Sequence, residues 1–326
     1  MLKDLELLIR LLLLMVSWIR FVPPSAPSLK MPKGQPFTSL CQSLYKNAST
    51  RRVDLHTHST FSDGICSPES VYSSACKLGL EAISITDHDT TAAHHSPFPH
   101  GRAEMIVGVE ITCIFNAKVY HLLGYMMDPM NLELQAGLSR NKAIRKTRFL
   151  KMLDFMKGRV NEPGSVMDEL KPQWNNPDYA VGSRHLAQIL VNQKKAHSIQ
   201  NAYWKHLRFF QDDNHAWLTI QEACDLVRNA GGISLLAHPP ENTTLSDLVL
   251  LKGFGLDGIE VEYPGFKMNR RKLLKEWALK LEFCIGGGSD CHGVPPRTIG
   301  SSSITILELE KIKLRSEGNR LCSVLS

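Results

Sequence analysis

Short apolar stretches alternate with longer amphipathic ones over most of this chain. EAISIT (81–86), ISLLAH (233–238) and LDGIEVEY (256–263) predict buried strands. SPESVYSSACKLGL (67–80) predicts a helix that has Ser67 as its N-cap and proline at its first position. Strands that alternate with helices favour parallel pairing, so the pattern predicts an α/β protein built on either a doubly wound sheet or a barrel.

Two parts of the pattern depart from this alternation. EMIVGVEITCIF (104–115) and KVYHLLGYM (118–126) predict two strands around a tight Asn-Ala turn. From residue 131 to about 211 the pattern becomes helical, rich in basic and amide residues and without β-branched runs. We therefore expect an α/β domain over residues 51–326 that carries a helical insert at about 130–215.

The first fifty residues have a different character. LLLLMVSWI (11–19) is apolar but too short to span a bilayer, and a Pro- and Ser-rich linker (23–33) follows it. Asp4 and Glu6 stand where a secretory signal would be basic. We expect residues 1–50 to be a poorly ordered extension with no stable membrane span; a signal peptide or anchor is the less favoured alternative.

Composition narrows the class of protein. A hydrophobic fraction of 43% and a charged fraction of 21% are those of a globular chain. The eight cysteines form no C-x-x-C pair, which favours a reducing compartment and hence the cytoplasm. The basic stretch 140–151 could attract a phosphate-rich partner, but we interpret it as the solvated face of a helix. The sequence leaves the oligomeric state open.

Ligand-type side chains recur at or just beyond the C-terminal ends of the predicted strands, except that Glu110 and His121 lie mid-run. That end of a parallel sheet or barrel is where sites are built. His56 and His58, one residue apart, share one face of a strand. The candidate metal ligands are His56, His58, Asp63, His88, Glu110, His121, His238, Asp290 and His292.

Nine ligands exceed what one catalytic ion uses, since such an ion takes about three protein ligands. The set therefore predicts two or three divalent ions. Imidazole and carboxylate ligands without thiolates suit Mn²⁺, Zn²⁺ or Fe²⁺.

Seven motifs follow one another between Arg52 and Gly300: H-x-H, S-D-G, T-D-H-D, G-V-E, H-x-x-G-Y, A-H-P and G-S-D-x-H. This series resembles the PHP (polymerase and histidinol phosphatase) family of metal-dependent phosphoesterases. The resemblance implies a distorted (β/α)7 TIM-like barrel. It also implies three ligand sets: His56, His58, Glu110 and Asp290; Glu110, His121 and His238; and Asp63, His88 and His292.

GGISLLAHP, GLDGIEVEYP and the insert stretch GSRHLAQIL resemble one branch of that family. The branch removes phosphate from nucleoside 3′,5′-bisphosphates and trims short RNA from its 5′ end. The resemblance thus implies a nucleotide or short oligonucleotide substrate, hydrolysed by attack of a metal-bound hydroxide. Arg184 is the candidate for gripping a substrate phosphate, with a solvent-exposed arginine at a helix start as the alternative. Asp63 and His88 could also handle the leaving-group proton, and His185 and Arg297 are weaker phosphate-contact candidates.

Three other functions remain open: a histidinol-phosphate phosphatase, a non-catalytic PHP structural module and a plain nucleic-acid binder. The complete ligand set argues against the second, and the lack of a strong basic face or an aromatic series argues against the third. The remaining histidines are not expected to bind metal: His94, His95 and His100 in a surface loop, and His197, His206 and His215 in the insert. Cys291 should alternate away from the metals.

Overall fold

The structure is a computed structural model that describes residues 50–157, 166–167, 170, 173–210 and 216–325. The predicted N-terminal extension, up to residue 49, and His215 lie outside the described residues.

Nine strands form one sheet. They are β1 (Arg52–Thr57), β2 (Ala82–Ile85), β3 (Glu104–Phe115), β4 (Lys118–Tyr125), β5 (Leu218–Thr219), β6 (Ile233–Leu236), β7 (Gly258–Glu262), β8 (Cys284–Gly287) and β9 (Ile304–Thr305). The order across the sheet is β8-β7-β6-β4-β3-β2-β1-β9, and β5 pairs with β3.

The sheet curves so that its first strand in this order, β8, approaches β1. The residues just after β8 bond to β1: Asp290 N donates to His56 O at 2.7 Å, and His58 N donates to Cys291 O at 2.9 Å. The strands β1 to β4 and β6 to β8 thus curve into a nearly closed, seven-stranded barrel. The predicted α/β class and TIM-like barrel are confirmed.

Two strands depart from parallel pairing: β9 runs antiparallel to β1, and β4 forms the predicted hairpin with β3. β4 runs antiparallel to both of its neighbours, β3 and β6. The cause is the predicted Asn-Ala turn, in which Asn116 and Ala117 both have positive φ, 49° and 59°, as a tight hairpin requires. β3 pairs with β2 only over 104–107 and then continues with β4, which explains why Glu110 lies in mid-strand.

Helices cover the barrel. They are α1 (Pro68–Lys77), α2 (Leu132–Phe155), α3 (Ser183–Asn192), α4 (Ile199–Ala202), α5 (Ile220–Asn229), α6 (Leu245–Gly253), α7 (Met268–Lys280) and α8 (Ile306–Leu325). A 3₁₀ turn occupies Ala92–His94, and a π-helical turn at Tyr203–Leu207 directly follows α4. Ser67 caps α1 as predicted, because its Oγ accepts from Ser70 N at 3.3 Å.

Separate groups of buried side chains stabilise the barrel and the helical segment, which runs from the second half of α2 to the π-helical turn. Inside the barrel, Val53 and Ile233 pack with residues of α8 such as Ile312. The second half of α2 and the helices that follow enclose another apolar cluster, with Phe149 and Leu190 among its fully buried members. The helical segment thus has a core that does not depend on the barrel interior.

Over the ranges that the structure describes, no helix is both long enough and apolar enough to cross a membrane.

Candidate metal centre

The first two histidines lie together at the end of β1. His56 and His58 are essentially fully buried. Their Nε2 atoms each lie 3.3 Å from Glu110 Oε2, and 3.6 and 3.2 Å respectively from Asp290 Oδ1. The alternation of a strand therefore aims both imidazoles at one point, as the H-x-H spacing predicts.

Glu110 is at the centre of the cluster. Its carboxylate is buried, and each oxygen faces a different group of rings. Oε1 lies 2.9 Å from His121 Nδ1 and 3.0 Å from His238 Nε2, while Oε2 lies 3.1 Å from His88 Nδ1. This arrangement suits a carboxylate that bridges two ions.

Asp63 and His292 complete the cluster on the side of the S-D-G loop. Asp63 Oδ1 lies 3.1 Å from His292 Nε2, and its Oδ2 lies 3.7 Å from His88 Nε2. The nine predicted side chains form four overlapping groups, in each of which the ligand atoms lie within 4.8 Å of one another. The groups are His58, Asp63, His88 and His292; His56, His58 and Asp290; His56, Glu110 and His238; and His88, Glu110 and His121.

Several inward-facing atoms of this cluster have no hydrogen-bond partner although they are buried. They are His56 Nε2, His58 Nε2, Asp63 Oδ1, His88 Nδ1 and His121 Nδ1. Leaving such atoms unpaired costs about 1–3 kcal/mol each. Divalent cations would satisfy them all, and a set of imidazole nitrogens and carboxylate oxygens suits Mn²⁺, Zn²⁺ or Fe²⁺. The residues present therefore fit two or three ions.

The charges within the cluster reinforce one another. Burial opposes ionisation of Asp63, Glu110 and Asp290, but the surrounding histidines hold the pKa of each carboxyl well below its ordinary value. Burial likewise opposes protonation of His58, yet the neighbouring carboxylates of Asp290 and Glu110 raise its pKa to about 10. The carboxylates are thus ready to bind cations, while His58 must release a proton to do so.

His88 has the opposite electrostatics. Burial lowers its pKa well below the ordinary value, and the positive charge of Arg145 adds to that effect against the attraction of Glu110 and Asp63. Burial therefore favours the neutral form of His88, which presents a free nitrogen lone pair.

Two members of the cluster have strained backbones. His238 has φ 25° and Asp290 has φ 48°. Non-glycine residues rarely adopt positive φ, and those that do concentrate at functional sites. The strain indicates that the local chain geometry serves the placement of these two side chains.

Glu260 on β7, fully buried behind the cluster, orients two of the histidines. Its Oε1 lies 3.0 Å from His56 Nδ1, and its Oε2 accepts from His238 N at 2.7 Å. A carboxylate in this position fixes the ring so that Nε2 is free to bind a metal. This role was not predicted from the sequence; the available signal was an acidic residue within the buried run GIEVE.

The two aspartates that flank His88 in T-D-H-D support the site from behind. Asp87 accepts hydrogen bonds from Ser59 N at 2.8 Å and from Ser62 Oγ at 2.5 Å, which holds the loop that leads to Asp63. Asp89 accepts from Thr112 N at 2.8 Å and from Arg145 Nε at 2.5 Å.

Arg297, a predicted phosphate contact, lies at the edge of the cluster. It forms an ion pair with Asp290, and its guanidinium carbon lies 4.9 Å from the centroid of the Tyr263 ring. Tyr263 in turn donates to Asp290 Oδ2 at 3.1 Å. In this arrangement Arg297 holds Asp290 in place.

A cavity of about 270 Å³ opens beside Asp63, His88 and His121. Arg145 and Arg148 from α2 line it, together with Gly182 and Ser183 at the start of α3. The prediction that the basic stretch is wholly a solvated helix face is therefore wrong: the Arg145 side chain is only 10% exposed. Arg184 does not line this cavity, although it follows Ser183 directly.

Two histidines outside the cluster contact protein atoms. Both ring nitrogens of His185 face such atoms: Nε2 lies 2.6 Å from Tyr179 Oη and 3.0 Å from Ser62 O, and Nδ1 accepts from Gly182 N. His185 thus joins the helical segment to the S-D-G loop, and its contact with a phosphate stays a prediction. His94 is half-buried in its loop, and its Nε2 lies 2.7 Å from Ile85 O.

The other histidine and cysteine predictions concern residues outside the cluster. His95, His100, His197 and His206 belong to none of the four groups found among the described residues. Cys291 is buried, and its Sγ lies 3.4 Å from Arg297 O, in keeping with a packing role.

Comparison with known proteins gives a consistent picture. The family described as PHP domain matches residues 54–222. A 5′-3′ exoribonuclease of Escherichia coli is 30% identical over 73% of this chain and 84% of its own length. A 3′,5′-nucleoside bisphosphate phosphatase of Chromobacterium violaceum is 26% identical over 74% of this chain and 87% of its own length. A solved structure described as a metal-dependent phosphoesterase, from Bifidobacterium adolescentis, superposes with a TM-score of 0.70 at 25% identity, covering 81% of this chain and 96% of that one.

Proposed function

The chain belongs to the PHP domain family, and from this premise we propose that it hydrolyses nucleotide phosphoesters: the 3′-phosphate of nucleoside 3′,5′-bisphosphates, the 5′ end of short RNA, or both. The observation that carries the proposal is the convergence of nine buried or half-buried ligand-type side chains, five of whose buried atoms have no hydrogen-bond partner. A non-catalytic module would have no need of so complete a set.

We propose His56, His58, Glu110 and Asp290 for one ion, Glu110, His121 and His238 for a second, and Asp63, His88 and His292 for a third. Mn²⁺, Zn²⁺ and Fe²⁺ are the candidate ions, with two or three bound. When bound, the ions would supply an activated water and would neutralise charge on the reacting phosphate.

The protein's own residues select and orient the substrate. Arg145 and Arg148 present positive charge in the cavity next to Asp63 and His88, where a phosphate would lie. Two contacts fix Arg145: its Nε donates to Asp89 Oδ2, and its Nη2 donates to Thr112 Oγ1 at 2.6 Å. An arginine held in this way can bind a phosphate with little loss of side-chain entropy.

Three further assignments stay proposals. Arg184 follows Ser183, which lines the cavity. Its positive charge also acts on Tyr203, another lining residue, against the burial that raises the pKa of that tyrosine. Arg184 therefore remains a candidate for contact with an outer phosphate. Asp63 or His88 is proposed to pass a proton to the leaving group. A cytoplasmic location fits the free thiols of the six cysteines whose side chains the structure describes.

The histidinol-phosphate alternative is not favoured, since both relatives described above are named for nucleic-acid or nucleotide substrates. A phosphate-release panel tests the proposal. Adenosine 3′,5′-bisphosphate, a 5′-phosphorylated oligoribonucleotide and histidinol phosphate are each incubated with enzyme and Mn²⁺, Mg²⁺ or Zn²⁺. We expect turnover of at least one nucleotide substrate and none of histidinol phosphate.

His238→Ala should lower turnover at least about a hundredfold, because it removes a proposed metal ligand. His100→Ala, in an exposed loop, is the matched control and should retain full turnover. Near-normal turnover in His238→Ala, or turnover of histidinol phosphate alone, would overturn the proposal.

A further inference from the structure

A second cavity, of about 370 Å³, adjoins the cavity beside the candidate metal centre. The two share Arg148, Met152, Ser183 and Tyr203, and the lining of the second includes Trp204 and Arg208. The two adjoining cavities, here called the passage, thus reach from Asp63, His88 and His121 to the surface of the helical segment.

Flat side chains are grouped at the outer end of this passage. Trp204 is 62% exposed and Phe209 is 57% exposed, which is unusual for rings of this size. The guanidinium carbon of Arg208 lies 4.5 Å from the centroid of the Trp204 ring and 4.4 Å from that of Phe209. Arg208 therefore stacks between two rings that the rest of the described chain leaves uncovered.

The backbone places the inner and outer ends of the passage on one short turn. The π-helical turn Tyr203–Leu207 carries both neighbouring rings. Tyr203 Oη lies 2.8 Å from Ser183 Oγ and lines the inner cavity, while Trp204 is directed outward. Isolated π turns occur frequently at functional sites.

We propose that Trp204, Arg208 and Phe209 form a stacking site for the bases of single-stranded RNA whose terminal nucleotide occupies the metal-centre cavity. This inference rests on the proposed function and specifies an oligonucleotide as substrate. Bases stack on aromatic rings and on guanidinium planes whatever their sequence.

Charge along the passage favours a polyanion over an apolar partner. Among the residues that the structure describes, the lining of the second cavity contains two arginines, Arg148 and Arg208, and no carboxylate. A sugar-phosphate backbone that leaves the metal centre would pass both cations before its bases reach the exposed rings. An apolar protein partner would instead meet a positively charged rim.

The double variant Trp204→Ala/Phe209→Ala tests the stacking site. Its kcat/KM on a 5′-phosphorylated oligouridylate should fall at least roughly tenfold, mainly through KM, because base stacking contributes strongly to single-strand binding. Its kcat/KM on adenosine 3′,5′-bisphosphate should stay within about twofold of wild type, since a mononucleotide does not reach the rings. Trp204→Tyr, which keeps a flat ring, should retain most of the activity on the oligonucleotide.

Leu279→Ala on α7 is the matched control, because Leu279 is also 61% exposed but lies outside both cavity linings. Equal losses on both substrates, or no loss on the oligonucleotide, would overturn the stacking site and leave the proposed function standing.

A binding measurement tests the stacking site independently of the proposed hydrolytic function. Fluorescence anisotropy of a labelled oligouridylate, measured with chelator present, requires no hydrolysis. Weaker binding by the double variant supports the stacking site even if wild-type protein releases no phosphate. Equal binding overturns it, and so does wild-type self-association that the double variant abolishes, because the rings would then form a contact between copies of the chain.

Discussion

At the scale of single residues, the candidate centre depends on side chains that hold other side chains. His56 contacts Glu110 through Nε2 and Glu260 through Nδ1. Such a carboxylate fixes which ring nitrogen carries the proton and makes the other a better ligand. The nine candidate ligands could be found from sequence because each lies in a short motif. The roles of Glu260 and Arg145 could not be predicted from the sequence, because only the folded chain shows which side chains these two residues contact.

Glu260→Gln should weaken metal binding about 10- to 100-fold, since the neutral amide no longer supports the basicity of His56. Isothermal titration calorimetry of the metal-free protein with Mn²⁺ would measure this change in affinity. Glu262→Gln is the control, because Glu262 lies on the same strand but pairs with Arg271 at 3.1 Å. Unchanged affinity in Glu260→Gln would show that Glu260 has no influence on the ions.

At the scale of secondary-structure elements, the centre requires the end of β8 to approach β1 very closely. A Cβ atom added to Gly288 would lie 2.4 Å from His56 N and 2.5 Å from His56 Cβ. The glycine of G-S-D therefore permits the contact that closes the barrel and brings Asp290 to His56. The sequence predicted most strands and helices within a few residues and the hairpin of β3 and β4, but it did not predict that β4 pairs with β6, since neighbours in a sheet depend on the whole topology.

Gly288→Ala should destabilise the fold by about 1–3 kcal/mol, because the backbone around His56 must move to admit the methyl group. It should also lower Mn²⁺ affinity by displacing the first histidine of the cluster. Urea unfolding and metal titration would measure the two effects. Gly253→Ala is the matched control: a Cβ there would meet nothing within 4 Å, so stability should change by less than about 1 kcal/mol. Equal stability in both variants would contradict the role assigned to Gly288.

At the scale of the whole molecule, the ligands come from widely separated parts of the chain, so ion binding is coupled to folding. The fold class and the site could be predicted because motif order and βα alternation agree. The proposed path of a substrate could not be predicted from the sequence, because the basic stretch of α2 has the pattern of a solvated helix face. Only the structure shows that the helical segment covers part of that stretch.

Chelation should lower the melting temperature by roughly 10 °C, since ions at about a thousand times their dissociation constant stabilise a folded protein by about 4 kcal/mol. The stabilisation should be larger at pH 8 than at pH 6. The raised pKa of His58, about 10, means that the metal-free fold gains stability from protonation below pH 6.5 and loses it as the pH rises toward 10. Bound ions displace that proton, so their advantage grows with pH. Thermal melts with and without Mn²⁺ at both values check this, and a smaller shift at pH 8 would contradict it.

The meeting of β1 with the residues after β8 has a consequence for biosynthesis. His56 emerges from the ribosome well before Asp290 and His292, which lie much later in the chain. An ion that encounters the nascent polypeptide in the interval can find only part of its ligand set. Complete binding of the ions is thus postponed until the residues after β8 have been made and the barrel has closed.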